Sequence, residues 1–199
     1  MTPTILSSPF LNLNSINALL NSSSPVSTEQ RIQLLSAKVH LLTQSLPSIA
    51  PSNSSITPAQ KTSPNLIEKD DRRHSHSHSH SHSHSPRDEK LIVIDRIRLE
   101  IGQAYLELKI PDYVKAETEL SIVEKDCKLL LKRLGKRESI FGQNAMERKD
   151  TDLHWFEEIK RLRQDALKEL ILIEEGLGRE AKAERWRKAV MELEDGGDT

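Results

Sequence analysis

Ile101-Gly102-Gln103-Ala104-Tyr105, followed after a short interval by Asp112-Tyr113-Val114-Lys115-Ala116, is the stretch on which the fold turns. Apolar residues on either side of it recur three and four positions apart, the period of a helix with one buried face. Pro111 stands between the two halves, where a helix cannot continue, so the order is helix, turn, helix. Gly102 and Ala116 have almost no side chain, which lets two backbones approach closely. Tyr105 and Tyr113 are large enough to fill the space beside that contact. Residues 96–134 are therefore expected to form an antiparallel helical hairpin packed on Gly102, Tyr105, Tyr113 and Ala116.

An apolar residue and Gly, Tyr three positions on, a turn, another Tyr and then Ala: this order resembles the tetratricopeptide repeat. The resemblance covers roughly 40 residues. It departs from the family at Arg98, where a large apolar residue is usual, and in a turn at residues 109–112 that is about two residues longer. The resemblance implies an all-α fold of antiparallel helical hairpins, a bundle or short solenoid, in which the first helix of the hairpin lines a concave surface. Here that surface falls to Arg96, Leu99, Gln103 and Leu106. Members that hold a partner's terminal carboxylate use a Lys and an Asn one turn apart. Leu99 and Gln103 stand in their place, so an apolar or mixed peptide or helix is the implied partner. Read from the residues alone, the same four side chains serve equally well to contact a following helix.

Outward from the hairpin, its first helix presents Ile94, Ile97, Ile101, Ala104 and Leu108. The second carries Tyr113, Ala116, Leu120, Val123, Cys127, Leu130 and Leu134, with Asp112 as cap and Gly135 as its expected stop. A fourth helix is expected from about residue 151, with Trp155, Ile159, Leu162, Ala166, Leu170 and Ile173 on one face and a break at Gly176 and Gly178. A fifth carries Ala183, Trp186, Val190 and Leu193. Residues 153–193 read as a second, degenerate unit, and residues 88–195 as the helical domain, with a frayed end at 196–199.

Upstream, Ser27 and Gln30 form a capping-box pattern ahead of Ile32, Leu35, Val39, Leu42 and Leu46, so 28–46 is an amphipathic helix. Its stripe packs on the helical domain or on a partner. Residues 1–27 are rich in Ser and Asn, carry no charge, and read as a disordered tail, with a short amphipathic docking helix through Leu13, Ile16, Leu19 and Leu20 as the alternative. Residues 47–87 read as a Ser-, Pro- and His-rich linker. Within it His74, His76, His78, His80, His82 and His84 alternate with Ser. Neutral imidazoles take zinc, nickel or copper, but a low-complexity run lacks the outer hydrogen bonds that fix ligands, so no resident metal or other cofactor is expected. Ser75 follows Arg72-Arg73-His74 and Ser85 precedes Pro86, both patterns that protein kinases modify.

Composition limits the function classes. Charged residues make up 30% and aromatics 4%, which suits long solvent-facing helices joined to unpacked segments. A formal net charge of -1 gives no general attraction to nucleic acid. No apolar run approaches the roughly 20 residues that cross a bilayer, so membrane insertion is not expected. The first charged residue is Glu29, unlike the basic start of a secretory or transit leader, and Cys127 alone makes no internal disulfide. An intracellular protein, cytoplasmic or nuclear, is the expectation. No phosphate-cradling glycine loop or supported nucleophile is present, so no catalytic residue is assigned. The sequence thus points to a non-catalytic adaptor or small subunit that binds other proteins. Two alternatives stay open: a coiled-coil or bundle subunit of a larger assembly, and metal handling by the His-Ser tract.

Overall fold

The computed structural model describes residues 12–22, 26–46, 85–140 and 149–195. They are all-helical, with no strand among the described residues: α1 (Leu13–Leu20), α2 (Thr28–Gln44), α3 (Pro86–Leu106), α4 (Tyr113–Ile140), α5 (Lys149–Gly176) and α6 (Glu180–Glu194). The helix starts follow local hydrogen bonding. Asn12 and Ser15 make a capping box for α1, and Ser27 and Gln30 make the expected one for α2, with the Gln30 amide N–H 3.2 Å from Ser27 Oγ. Asp112 caps α4, its Oδ1 accepting from the Lys115 N–H at 3.1 Å.

From α2 onward neighbouring helices run antiparallel, which can be read from the pairs that join them. Arg31 and Ser45, at opposite ends of α2, meet Glu100 and Lys90 of α3. Asp88 and Gly102 of α3 meet Arg133 and Leu120 of α4. Glu124 of α4 meets Arg163 of α5, and Gln164 of α5 meets Glu194 of α6. Each helix packs on the next in the chain. In addition α3 lies alongside α5, running the same way, through Arg96–Glu158 and Gln103–Glu169.

The nearest side chain to Gly102 is Leu120 of α4, one turn beyond Ala116. A Cβ added to Gly102 would come within 2.7 Å of Leu120 Cγ, nearer than real Cβ atoms come to a neighbour. Ala116, Leu120, Val123 and Cys127 of α4 are buried there, and the same cluster continues through Ile159, Leu162, Ala166, Leu170 and Ile173 of α5. Tyr105 and Tyr113 are half-buried against it, and Tyr113 lies on Gly176 at the end of α5. Gly178 then takes φ +69, and the Gly178 and Arg179 N–H groups donate back to the Glu175 and Glu174 carbonyls. This left-handed stop explains why α5 ends there.

The structure adds three points to these expectations. Within the tail expected to be disordered, Asn12 to Asn21 make a capped helix whose Ile16 is fully buried against Leu34 and Ala37 of α2. Consequently α2 is buried on two sides: Ile32, Leu35 and Val39 face α3, and Leu34 and Ala37 face α1. Of the two placements left open for this helix, its stripe takes the one within this chain. Finally, α4 does not stop at Gly135 but continues to Ile140, and Gly135 does not take the left-handed conformation that ends α5 at Gly178.

Candidate functional site

The four residues expected to line a concave surface do not form an open strip. Leu99 is 8% exposed and belongs to the core shared with α4 and α5, and Leu106 packs against the same cluster. Arg96 pairs with Glu158, and Gln103 Nε2 donates to Glu169 Oε1 at 3.0 Å. Leu99 and Leu106 are thus turned into the core, while Arg96 and Gln103 pair with α5 from the outer side of α3. The strip that faces outward on α3 lies about a sixth of a turn round the helix, sharing Arg96 and Gln103 and adding Val93, Glu100 and Glu107, spaced three and four apart. Its polar members reach Arg31 of α2 on one side and α5 on the other.

The more spacious concavity is on another side of α3, where α2 and α4 part. A groove of about 270 Å³ is lined by Ser36, Val39, His40 and Thr43 of α2, Arg98 and Ile101 of α3, and Glu119 of α4. Arg98 reaches across it to Glu119 at 2.7 Å, holding both side chains against the wall. His40 and Gln44 share a 2.9 Å hydrogen bond on the rim. Apolar Val39 and Ile101 alternate with hydroxyl, imidazole and ionic groups, a lining suited to a partner segment with both apolar and polar side chains. Sequence reasoning missed this groove because its residues come from three helices. Arg98, where the repeat family carries an apolar residue, was the one signal of it.

A second crevice, about 10 Å³, lies between the start of α3 and the facing ends of α4 and α5, among Ile92, Leu130, Trp155 and Ile159. It is too small for more than a single water. Trp155 and Trp186 both pack partly buried against the main core, as their helical spacing implies.

The electrostatics are structural in most places. At one end of the array, Glu174 of α5 is fully buried and meets Lys182 of α6 at 2.5 Å and Arg179 at 3.5 Å. Glu117 of α4 joins both cations, and its hydrogen bond to Lys182 holds its carboxyl below the usual range. Burial opposes the charge on Lys182, but the bonds to Glu117 and Glu174 raise it overall. Three helices are thereby tied together. The Cys127 thiol is fully buried and pushed up by burial first and then by Asp95 and Asp126, which leaves it far from a reactive thiolate.

One buried group has no such partner. Asp95 is fully enclosed in the α3–α4 contact, and neither of its carboxyl oxygens has a hydrogen-bond partner. The sequence carried a signal for it: Asp95 lies seven positions before Gly102 and so shares the face that meets α4.

Ser85 caps α3, with its Oγ 3.3 Å from the Arg87 N–H. Ser75 and His74, His76, His78, His80, His82 and His84 lie outside the described residues, as do residues 47–84 and 196–199. Among the described residues no three His, Cys, Asp or Glu side chains are placed to hold a metal, and no helix is long and apolar enough to cross a membrane. The chain matches no protein-family model, no curated protein and no solved structure.

Proposed function

We propose that this protein is a non-catalytic adaptor that holds a helix or extended segment of another protein in the groove between α2 and α4. The observation that carries the reading is that groove: about 270 Å³, floored by α3 and walled by two helices that are each packed into the core. A preformed concavity binds at a lower ordering cost than a surface that must first assemble. The same proposal takes the array as three stacked tetratricopeptide-like hairpins, α1 with α2, α3 with α4, and α5 with α6. Supporting this are the Gly102–Leu120 approach within the second hairpin and the parallel lie of α3 beside α5. Phosphorylation of Ser85 belongs to the proposal as a regulator, since an added phosphate at a helix start is favoured by the backbone dipole and opposed by Asp88 and Glu89.

The test is capture of partners by the full chain from its native cell, compared with Thr43→Trp, which fills the groove from an exposed position. Partners held by the wild type and lost by a variant with unchanged helical content support the groove. The same partners held at the same level reject it. The reading as a structural subunit has its own observation, Ile110 at 83% and Val114 at 68% exposure beside the α3–α4 turn. Light scattering separates the two, because self-assembly through that corner predicts a mass that falls to the monomer in Ile110→Ser.

A further inference from the structure

Asp95 is the one buried carboxyl in the described chain that nothing neutralises. The groups around it can be taken helix by helix. From α4, the half-buried Asp126 faces it, together with the Cys127 thiol. On α3 itself, Arg98 is one turn away, but its guanidinium is engaged by Glu119 at 2.7 Å. From α2, His40 reaches the groove that Arg98 and Glu119 line. From α5, Arg163 approaches this region but is held by Glu124 at 2.9 Å. The closed interface therefore gives a carboxylate no hydrogen bond, with Asp126 as a nearby like charge and the one opposing cation, Arg98, already paired with Glu119. An ion in that position is far costlier than the neutral acid.

We infer that Asp95 is a proton-operated latch between α3 and α4: as the neutral acid it lets the two helices close, and loss of its proton is coupled to their separation. Opening carries Asp95 into water and exposes the opposite wall of the same contact, including Cys127. Burial first, then Asp126, with Arg98 opposing, push the Asp95 carboxyl up to about 8. In the open state the group returns to an ordinary carboxyl near 3.8. Between those values each unit of pH favours the open state by up to about tenfold, and above about 8 the effect levels off, because both states are then ionised.

The chain supplies its own reporter. Cys127 is the sole cysteine, is fully buried, and lies beside Asp95 across the interface. A dithiodipyridine reagent, which attacks thiols from acid to alkaline pH, measures how often it is exposed. The full chain and its Asp95→Asn variant are labelled side by side at each pH, so that the intrinsic reactivity of the thiol cancels in the ratio. The latch predicts a wild-type to variant ratio near one at acid pH, rising by up to about tenfold per unit and levelling off near 8. In Asp126→Asn, which removes the facing like charge, the levelling moves to lower pH. A ratio that stays flat throughout overturns the latch. Amide hydrogen exchange of the wild type alone gives an independent answer should Asp95→Asn fold poorly. After correction for intrinsic rates, protection in α3 and α4 must fall as pH rises, and constant protection overturns the proposal in the same way.

Discussion

Replacing Gly102 by Ala places a methyl where Leu120 already stands. The added Cβ would lie 2.7 Å from Leu120 Cγ, 2.8 Å from Cδ2 and 3.3 Å from Cδ1, and Leu120 is fully buried with no free side to yield into. Overpacking of this kind costs about 1–3 kcal/mol, and the better helix propensity of Ala returns about 1, so Gly102→Ala should destabilise by about 0–2 kcal/mol. That single number decides little. The cycle with Leu120→Ala decides much more. Alone, Leu120→Ala opens a cavity and should cost about 2–5 kcal/mol. In the double variant the new methyl of residue 102 meets no clash and fills part of the cavity. The pair should therefore lose about 1–3 kcal/mol less than the sum of the two singles. Urea unfolding of the full chain, followed by helical ellipticity and by the fluorescence of Trp155 and Trp186, measures all four corners. Additivity to within about 0.5 kcal/mol would refute the close approach of α3 and α4 at this point.

Three other outcomes follow from the same contacts. Lys182→Met leaves the buried Glu174 with Arg179 alone, at 3.5 Å, and should cost about 1–3 kcal/mol in urea unfolding, reduced from the value for a fully buried pair because 28% of the Lys182 side chain meets water; Lys188→Ala, at an exposed pair, should change stability by less than about 0.5. Glu117 sits below the usual carboxyl range when folded, so its contribution is complete above about 4.5 and is lost as pH falls through its folded value. Glu117→Gln should remove about 1 kcal/mol near neutral pH and flatten that part of the acid transition in a pH titration of stability. Ser27→Ala removes the α2 cap, at a cost of about 1 kcal/mol, and hydrogen exchange should quicken in the first turn of α2 before it does in α5.

Much of the helical hairpin was legible because it rests on chemistry local to the chain. Pro111 bars a helix, Asp112 caps one, and the Gly102 and Ala116 pair requires no more than their lack of side chain to suggest close contact. The Ser27–Gln30 box and the Gly178 stop were legible for the same reason. What the sequence concealed depends on which neighbour a helix meets. The face through Arg96, Leu99, Gln103 and Leu106 has the right period, but periodicity gives the spacing of a face and not the direction of its neighbours. In the fold α5 covers Leu99, and the outward strip moves to Val93, Glu100 and Glu107. The apolar residues of α1 offered a short docking helix as the second reading, but the polar composition around them favoured a disordered tail. Eight residues seldom hold a helix alone, and here Ile16 does so by reaching Leu34 and Ala37 of a helix later in the chain. Gly135 carried a stop signal, but a glycine permits the left-handed turn without requiring it, and the helix continues past it.

The groove between α2 and α4 is the central claim, and a photo-crosslinking side chain placed at Thr43 tests it most directly. The full chain carrying that group, expressed in its native cell, is irradiated beside a control with the same group at Lys168 on the exposed face of α5. The account predicts that position 43 joins covalently to a defined protein segment, that position 168 does not, and that free competing segment removes the product. Equal yields at the two positions, or a product at 168 alone, would contradict it.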